Sequence, residues 1–416
     1  MHPVIERCCG LDVHQASVVA CILIQEGRTV RKEIRTFKTM TCDLEALRDW
    51  LTAQGVTHVA MESTGVYWKP VHAILYGFFE LIVANAHHIR HVPGRKTDVK
   101  DAEWIAELVR HGLLTASFVP PPAIAELRDL TRYRRKLVET QATERNRTLK
   151  LLESANIKLS AVATDVFGVS GMAMLKALIA GDAAPADIAD LAKGRLRRKL
   201  EPLAQALAGR LTETHRFLLK LQVNRLEEME RDILALDHLI AEKAKPYSRQ
   251  IGLLIQIPGV DRQIAVVIIA DPKGSASKMG VDLSHWPTAQ KLAAWAGSCP
   301  GNYESAGQAR SGRTRKGNLY LKSALFLAAT TAARTKGSYL KDKYHRLKAR
   351  RGAKRAGMAI AHKILMTAYH MLTNGTDYSE LGEAYLDKLA EKRITRGLVH
   401  RLTNLGYKVT LEQQAT

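Results

Sequence analysis

The fold is decided first by residues 4–37, which read VIERCCGLDVHQASVVACILIQEGRTVRKEIRTF. Three runs of β-branched and apolar residues occur here, at 4–12, 17–24 and 29–37, and turn residues such as Gly27 separate them. Runs of this length and composition predict short strands joined by tight turns. The stretch therefore predicts a β-meander.

The pattern changes after this meander. Helical periodicity at 42–54, 67–76 and 98–111 alternates with short apolar runs at 56–61 and 80–84. Strands that are first antiparallel and then alternate with helices indicate a mixed sheet. The N-terminal part is therefore predicted to be an α/β domain of the ribonuclease-H kind.

Residues beyond 120 are predicted to be mostly helical. Two long segments with few helix breakers, 123–159 and 207–245, predict long helices of coiled-coil character, and the Ala-rich segment 160–205 between them predicts short helices. The expected domains are a catalytic domain at 1–122, a long-helix region for oligomerisation at 123–248, a C-terminal domain at 249–376 and a tail at 377–416. The role of 160–205 stays open.

The C-terminal domain begins with a second local pattern. A Pro-Gly turn at 258–259 separates a short apolar helix from another helix at 263–270. This arrangement resembles a helix-hairpin-helix, whose turn offers backbone N–H groups to a phosphate. An ordinary helical hairpin inside a packed core is the alternative. The segment 300–317 is Gly- and Arg-rich and is predicted to be a loop.

Charge points to a polyanionic partner. Lysine and arginine number 62 against 41 aspartate and glutamate, which gives a net charge of +21. Such an excess favours nucleic acid through counterion release. No apolar run is long enough for a membrane span, and the N-terminus lacks a signal-peptide pattern, so a cytoplasmic, nucleoid-associated bacterial protein is expected. The five cysteines are odd in number and lack zinc-site spacing, which predicts reduced, structural thiols.

Acidic residues stand where the predicted strands end. Asp12 follows an apolar strand, Glu62 follows Val-Ala-Met, and Asp98 and Asp101 lie three apart at a helix start. Each alone is typical of a turn or a helix cap. Together, two acids from strand ends and two from one helix face can enclose divalent ions that clamp a scissile phosphate.

These motifs resemble the DEDD transposases of the insertion sequence 110 family, in its branch with a longer C-terminal part. The resemblance covers nearly the whole chain. It rests on Gly-Leu-Asp12-Val-His, Met-Glu62-Ser-Thr-Gly and Lys-Thr-Asp98-Val-Lys-Asp101-Ala, then on Ile-Pro-Gly-Val (257–260), Ala-Ala-Trp-Ala-Gly (293–297), Glu-Ser305-Ala-Gly and Gly-Arg-Thr-Arg-Lys-Gly-Asn (312–318).

The resemblance implies a RuvC-like domain in which Asp12, Glu62, Asp98 and Asp101 bind Mg²⁺ or Mn²⁺. It also implies that Ser305 attacks DNA and forms a phosphoserine linkage. Ser298 and Ser311 lie close enough to be the nucleophile instead. Donor and target double-stranded DNA would be exchanged under the guidance of a structured RNA, and a dimer or tetramer is expected because strand exchange needs several active sites.

Basic residues that flank Ser305 are the first candidates for nucleic-acid contacts. A second basic cluster lies on the first long helix, where a solvated helix face is the alternative. The two sets are Arg310, Arg313, Arg315 and Lys316, and Arg128, Arg132 and Arg135.

Two other functions fit the same residues. A Holliday-junction-type endonuclease would use the four acids with water as the nucleophile and would not need Ser305. A non-catalytic nucleic-acid scaffold would use the acids as helix caps, and it would bind equally well in EDTA.

Overall fold

The computed structural model describes residues 4–63, 65–85, 89, 101–117, 119–272, 275–277, 280–282, 286–301, 303–305, 308–311 and 314–411; the short strands at 275–282 and 303–311 and residues 390 and 392–394 are described by their backbone alone. The chain divides into two compact units, Met1–Val119 and Pro120–Thr416.

The first unit contains a five-stranded sheet in the order β3-β2-β1-β4-β5. The strands β1, β2 and β3 form the predicted antiparallel meander, and β4 and β5 add parallel to β1. The prediction of a mixed α/β sheet is confirmed. Its elements are β1 Arg7–Val13, β2 Ser17–Glu26, β3 Thr29–Lys38, α1 Thr41–Ala53, β4 His58–Glu62, α2 Trp68–Leu75, β5 Glu80–Ala84 and α3 Asp101–Arg110.

Each face of this sheet is covered by helices. Cys9 and Leu11 of β1 pack with α1 and α2 on one face. Cys8 packs with α3 on the other. This alternation follows from the period of two in a strand, and it explains why both faces of β1 and β2 are apolar.

Gly10 allows α3 to lie directly on the sheet. A Cβ atom at this position would stand 2.2 Å from the carbonyl oxygen of Ala102 and 2.4 Å from the amide nitrogen of Ala106. These are backbone atoms, which a rotamer change cannot move away. Only glycine is compatible with this approach of helix to strand.

Three of the four thiols of the first unit, those of Cys8, Cys9 and Cys21, are buried, and Cys42 is exposed. All five cysteines are free, and Cys8, Cys9 and Cys21 lie inside the sheet core. Burial raises the pKa of Cys8 and of Cys21 to about 12. Because the thiolate is the reactive form, these side chains behave as small apolar groups.

The second unit is largely helical, as predicted. Its helices are α4 Pro122–Ser154, α5 Leu159–Val162, α6 Val169–Ala180, α7 Pro185–Ala189, α8 Leu200–Leu207, α9 Glu213–Lys243, α10 Ser248–Leu254, α11 Arg262–Ala270, α12 Ala289–Trp295, α13 Leu319–Ala332, α14 Tyr339–Arg351, α15 Ala353–Asn374 and α16 Tyr385–Asn404. Within the described ranges, every helix is too short or too polar to cross a lipid bilayer.

The two long helices differ from their predicted limits at defined points. Helix α4 ends at Ser154 rather than at 159, because Asn156 adopts a left-handed φ of 56°. Helix α9 begins at Glu213 rather than at 207, because Thr212 caps its N-terminus by accepting a hydrogen bond from the His215 amide.

Helices α4 and α9 pair with each other in antiparallel fashion. Glu126 contacts Lys243 at one end, Gln141 donates to Glu230 in the middle, and Ser154 contacts His215 at the other end. The residues with which the two helices face each other are therefore covered within one chain, while Phe217 and Leu234 of α9 stay exposed. The long helices alone do not require a second copy.

Short strands in the second unit were not predicted. The segment 300–317, predicted to be a loop, contains the antiparallel pair β8 Tyr303–Ser305 and β9 Gln308–Ser311. A further pair is formed by β6 Ser275–Ser277 and β7 Gly280–Asp282. Strands of three or four residues are too short for a period of two to be recognised.

Replacing Gly10 tests the contact between β1 and α3. We expect Gly10→Ala to destabilise the first unit by about 1–3 kcal/mol, because its methyl group overlaps helix backbone. Thermal unfolding followed by circular dichroism measures this. The control is Gly252→Ala, since a Cβ there meets nothing within 4 Å. Equal melting of both variants would contradict the contact.

Candidate functional site

Two of the predicted acids lie at the ends of neighbouring parallel strands. Strands β1 and β4 are paired in register up to Leu11 and Met61. The next residues are Asp12 and Glu62. Both carboxylates therefore belong to the same edge of the sheet, at its carboxyl ends.

Both acids also belong to the same face of the sheet. Asp12 is paired with Val19 of β2, and Glu62 is paired with Ala84 of β5. Val19 and Ala84 pack in the cluster formed with α3. Because paired residues share a face, Asp12 and Glu62 project on the side of α3.

Helix α3 brings a third acid to this edge. The Cys8 thiol contacts the carbonyl of Ala106, and the carbonyl of Arg110 accepts from the amide of Val4. Helix α3 thus runs opposite to β1, so its first residue, Asp101, lies toward the end of β1 that carries Asp12. Asp98 falls outside the described residues.

Asp12 is partly accessible at this edge. Its side chain is 27% exposed, and its Oδ2 lies 3.1 Å from Nε2 of His14. His14 was not among the predicted site residues, although its spacing of two from Asp12 is the pattern that places side chains on one face of an extended chain.

The donor set suits a hard divalent cation. Carboxylate oxygens are the ligands that Mg²⁺ and Mn²⁺ prefer. In the described part of the chain, no three acidic, histidine or cysteine side chains are grouped closely enough to hold a metal ion. The complete set of four acids includes Asp98, which the described residues do not cover.

The candidate nucleophile lies in the second unit. Ser305 is the last residue of β8, next to the turn into β9. The alternative Ser298 is buried, and its hydroxyl donates to the carbonyl of Ala293 at 3.0 Å. This engagement makes Ser298 the weaker candidate. Ser311 ends β9 and, like Ser305, is described by its backbone alone.

The base of this hairpin is fixed by close backbone packing. Pro300 and Thr314 form a bridge below the two strands. A Cβ on Gly317 would stand 2.5 Å from the amide nitrogen of Gly297, just after α12. The backbone at the base of the hairpin is therefore closely packed.

The predicted basic residues around this hairpin fall into two groups. Arg315 and Lys316 are exposed to solvent, as phosphate contacts require. Arg310 lies in β9 and is described by its backbone alone, and Arg313 lies outside the described residues. Their role in binding nucleic acid stays a prediction.

The second basic cluster contacts the protein itself. Arg128 donates to the carbonyl of Ala270 at 2.7 Å, and Arg132 donates to Asp271 at 2.6 Å. Arg135 donates to the carbonyl of Leu319 at 3.0 Å. These guanidinium groups join α4 to α11 and α13. The sequence suggested a nucleic-acid or solvated face, but packing accounts for these contacts.

The Pro-Gly turn is also packed. Gly259 has a φ of 87°, and a Cβ there would stand 2.2 Å from the carbonyl oxygen of Ala328 in α13. Asp261 accepts the amide hydrogen of Ile264 at the start of α11. Because this amide is occupied and the turn lies against a helix, the alternative of a core helical hairpin fits these contacts better than a phosphate-binding turn.

Two regions of the chain match models of known families. Residues 9–157 match the transposase model of DEDD type for IS110, and residues 252–345 match the model described as "Transposase IS116/IS110/IS902 family". Both models describe transposases of the IS110/IS116/IS902 group, to which these two regions are similar. No curated protein matches the chain. DNA is the partner that a transposase implies, and transposases of DEDD type typically use divalent metal ions.

The two matched regions coincide with the features described above. The first contains Asp12, Glu62 and Asp101 and ends just after α4. The second contains the packed Pro-Gly turn and the β8–β9 hairpin. Residues 158–251, which include the Ala-rich segment, lie outside both matches.

Replacing Arg132 distinguishes packing from nucleic-acid binding. The Asp271 side chain is fully buried, so Arg132→Met leaves a buried carboxylate without its ionic partner. We expect the free energy of unfolding to fall by at least about 2 kcal/mol, because the variant leaves a buried charge without its partner. The partial exposure of Arg132 keeps the expected loss below that of a fully buried pair. Chemical denaturation without nucleic acid measures it.

The matched control is Lys136→Met on the same helix, where the side chain is exposed. A residue of the solvated face should change stability by less than about 0.5 kcal/mol. If Arg132→Met were as stable as Lys136→Met, the packing role of Arg132 would be wrong.

Proposed function

We propose that this chain is a transposase that excises and inserts a mobile element by metal-dependent cleavage and exchange of DNA strands. The observation that carries the proposal is that Asp12 and Glu62 lie at one edge and on one face of the sheet, while the first residue of α3, Asp101, lies toward the same edge. The two family matches support the same function.

The proposed metal ligands are Asp12, Glu62, Asp98 and Asp101, in a domain of the RuvC-like type at 1–122. Mg²⁺ or Mn²⁺ bound there would neutralise the repulsion between the carboxylates and polarise the scissile phosphate. Asp12 is accessible enough to contact a ligand from solvent.

Ser305 is the proposed nucleophile. Its hydroxyl oxygen forms a bond to the scissile phosphorus while the bond from phosphorus to one strand oxygen breaks. The hydroxyl proton passes to a nearby base, and the departing strand oxygen takes up a proton. The product is a phosphoserine linkage, which a hydroxyl group of another strand then attacks to rejoin the DNA.

The finer organisation is proposed on the resemblance described above. A structured RNA guides donor and target recognition, 249–376 forms the strand-exchange domain, 123–248 carries the long helices, and 377–416 is a tail. The active form is a dimer or tetramer, because exchange joins several cleaved strands in one assembly. The net charge of +21 supports contacts with nucleic acid.

Excision in cells tests the proposed function. We expect cells with the element and its flanks to form an excised circle junction, detected by PCR, and we expect Asp12→Ala and Ser305→Ala to abolish it. Loss in Asp12→Ala alone would support a metal-dependent nuclease or another serine, for which Ser311→Ala is the next variant. Retention in Asp12→Ala would contradict the assigned acids.

Metal removal tests the chemistry with purified protein. Cleavage of element-end DNA should fall to background in EDTA and return with Mg²⁺ or Mn²⁺, because the carboxylates alone repel phosphate. DNA binding, measured by fluorescence anisotropy in the same buffers, is the control. Cleavage that continued in EDTA would exclude the proposed metal site.

A further inference from the structure

The second unit contains a groove beside the β8–β9 hairpin. Its volume is about 1160 Å³. One wall is formed by α14 and the first three turns of α15. The other is formed by Ser298, Cys299, Pro300 and Thr314, at the base of the β8–β9 hairpin. We call it the α14–α15 groove.

The groove carries a cluster of cations. Helices α14 and α15 meet at Gly352, and lysine and arginine side chains flank this turn and continue along α15. None of the described residues that line the groove is acidic. The cationic residues are Lys343, Arg351, Lys354, Arg355 and Lys363.

These cations differ from those of the second basic cluster. Arg132, for example, is paired with the buried Asp271. By contrast, none of Arg351, Lys354, Arg355 and Lys363 forms an ion pair with a described acidic residue. Cations without internal partners are the ones that release counterions when a polyanion binds.

The floor of the groove is apolar. Leu347, Met358 and Ala359 line the groove and are what we call its floor. His362 also lines the groove, with Nδ1 3.4 Å from the Ser298 hydroxyl oxygen and 3.7 Å from the Cys299 sulfur. Burial, followed by Lys363 and Lys343, lowers the pKa of His362 and so favours the neutral ring.

This combination selects a particular form of nucleic acid. A duplex presents phosphates to a protein but keeps the faces of its bases stacked inside. An unpaired strand presents both phosphates and base faces, and single-strand grooves combine cations with surfaces against which bases pack. A cationic rim around an apolar floor fits the unpaired strand.

We propose that the α14–α15 groove binds an unpaired segment of a DNA strand, with its phosphates on the rim and its bases on the floor. The choice of DNA rather than RNA rests on the proposed function, because the groove lies at the base of the hairpin that carries Ser305. The wall formed by α14 and α15 lies outside the second matched region except at Lys343.

Binding of a fluorescent single-stranded DNA of about 12 nucleotides, followed by anisotropy in EDTA, tests this proposal. The double variant Lys354→Gln/Arg355→Gln removes two exposed rim charges. We expect Kd to rise about tenfold and the slope of log K against log salt to fall by about 1.4, which is 0.7 for each lost contact.

The control is Lys336→Gln/Lys348→Gln, which removes the same charge from exposed positions outside the groove. We expect this variant to bind like wild type. An equal loss of affinity in both variants would mean that only the net charge matters, and it would overturn the proposal that the groove binds the strand. Thermal melting of each variant confirms folding.

Competitors complete the test. Unlabelled duplex of equal length and an abasic oligonucleotide should compete several-fold less well than single-stranded DNA, since neither can place bases on the floor. Equal competition by duplex would contradict the proposal that the groove prefers an unpaired strand. Stronger competition by single-stranded RNA would contradict the choice of DNA.

This experiment is independent of strand exchange. If the circle junction never forms but groove-dependent binding persists, the proposed function fails and the groove stands. If the junction forms and depends on Asp12 and Ser305 while rim variants bind normally, the groove proposal fails alone.

Discussion

The direct contact between the backbone of Gly10 and helix α3 is the constraint on which the first unit depends. A Cβ atom at this position would overlap both Ala102 and Ala106. Because the helix lies on the strand itself, its direction is fixed opposite to β1, and its first residue, Asp101, comes toward the strand end that carries Asp12. A bulkier residue would lift the helix and move one carboxylate away from the others. Glycine at position 10 and aspartate at position 12 therefore serve one geometry.

The second unit uses the same device at the β8–β9 hairpin and at the Pro-Gly turn. Gly317 lies against Gly297, and Gly259 lies against Ala328, in each case at distances that exclude a side chain. Buried polar contacts then hold the helices around these points. Asp271 accepts hydrogen bonds from Arg132 and from Asn318, and Asn318 also caps α13. Asp271, which follows the last residue of α11, is thus hydrogen-bonded to Asn318 at the start of α13.

Much of the first unit was predictable because its central strands pack against different helices on their two faces and so have a distinctive composition. Strands β1 and β2 consist mostly of apolar residues because both of their faces are buried, and the acids stand out because they follow these apolar runs. The carboxylate edge could be expected from Asp12 and Glu62. The direction of α3 could not be, because it follows from a contact between residues 10 and 102 that leaves no periodic pattern in the sequence.

The second unit was less predictable for a related reason. Helical periodicity shows that a face is buried but not what covers it. The seams of α4 and α9 cover each other, whereas the sequence pattern alone fits a second copy equally well. Likewise, Arg128 and Arg132 are basic residues on a helix face, and their partners lie some 140 positions later. The β8–β9 hairpin is too short for its alternation to be visible.

The same distinction changes how the charge of the chain is interpreted. A net charge of +21 counts every lysine and arginine alike. An arginine that is already bound to a buried carboxylate, such as Arg132, releases few counterions when DNA approaches, since its charge is balanced within the protein. Arg355, which pairs with no described acidic residue, still holds counterions that it can release. The affinity for nucleic acid therefore depends on how many cations the fold leaves without an acidic partner, and the α14–α15 groove is one place where the described structure groups such cations.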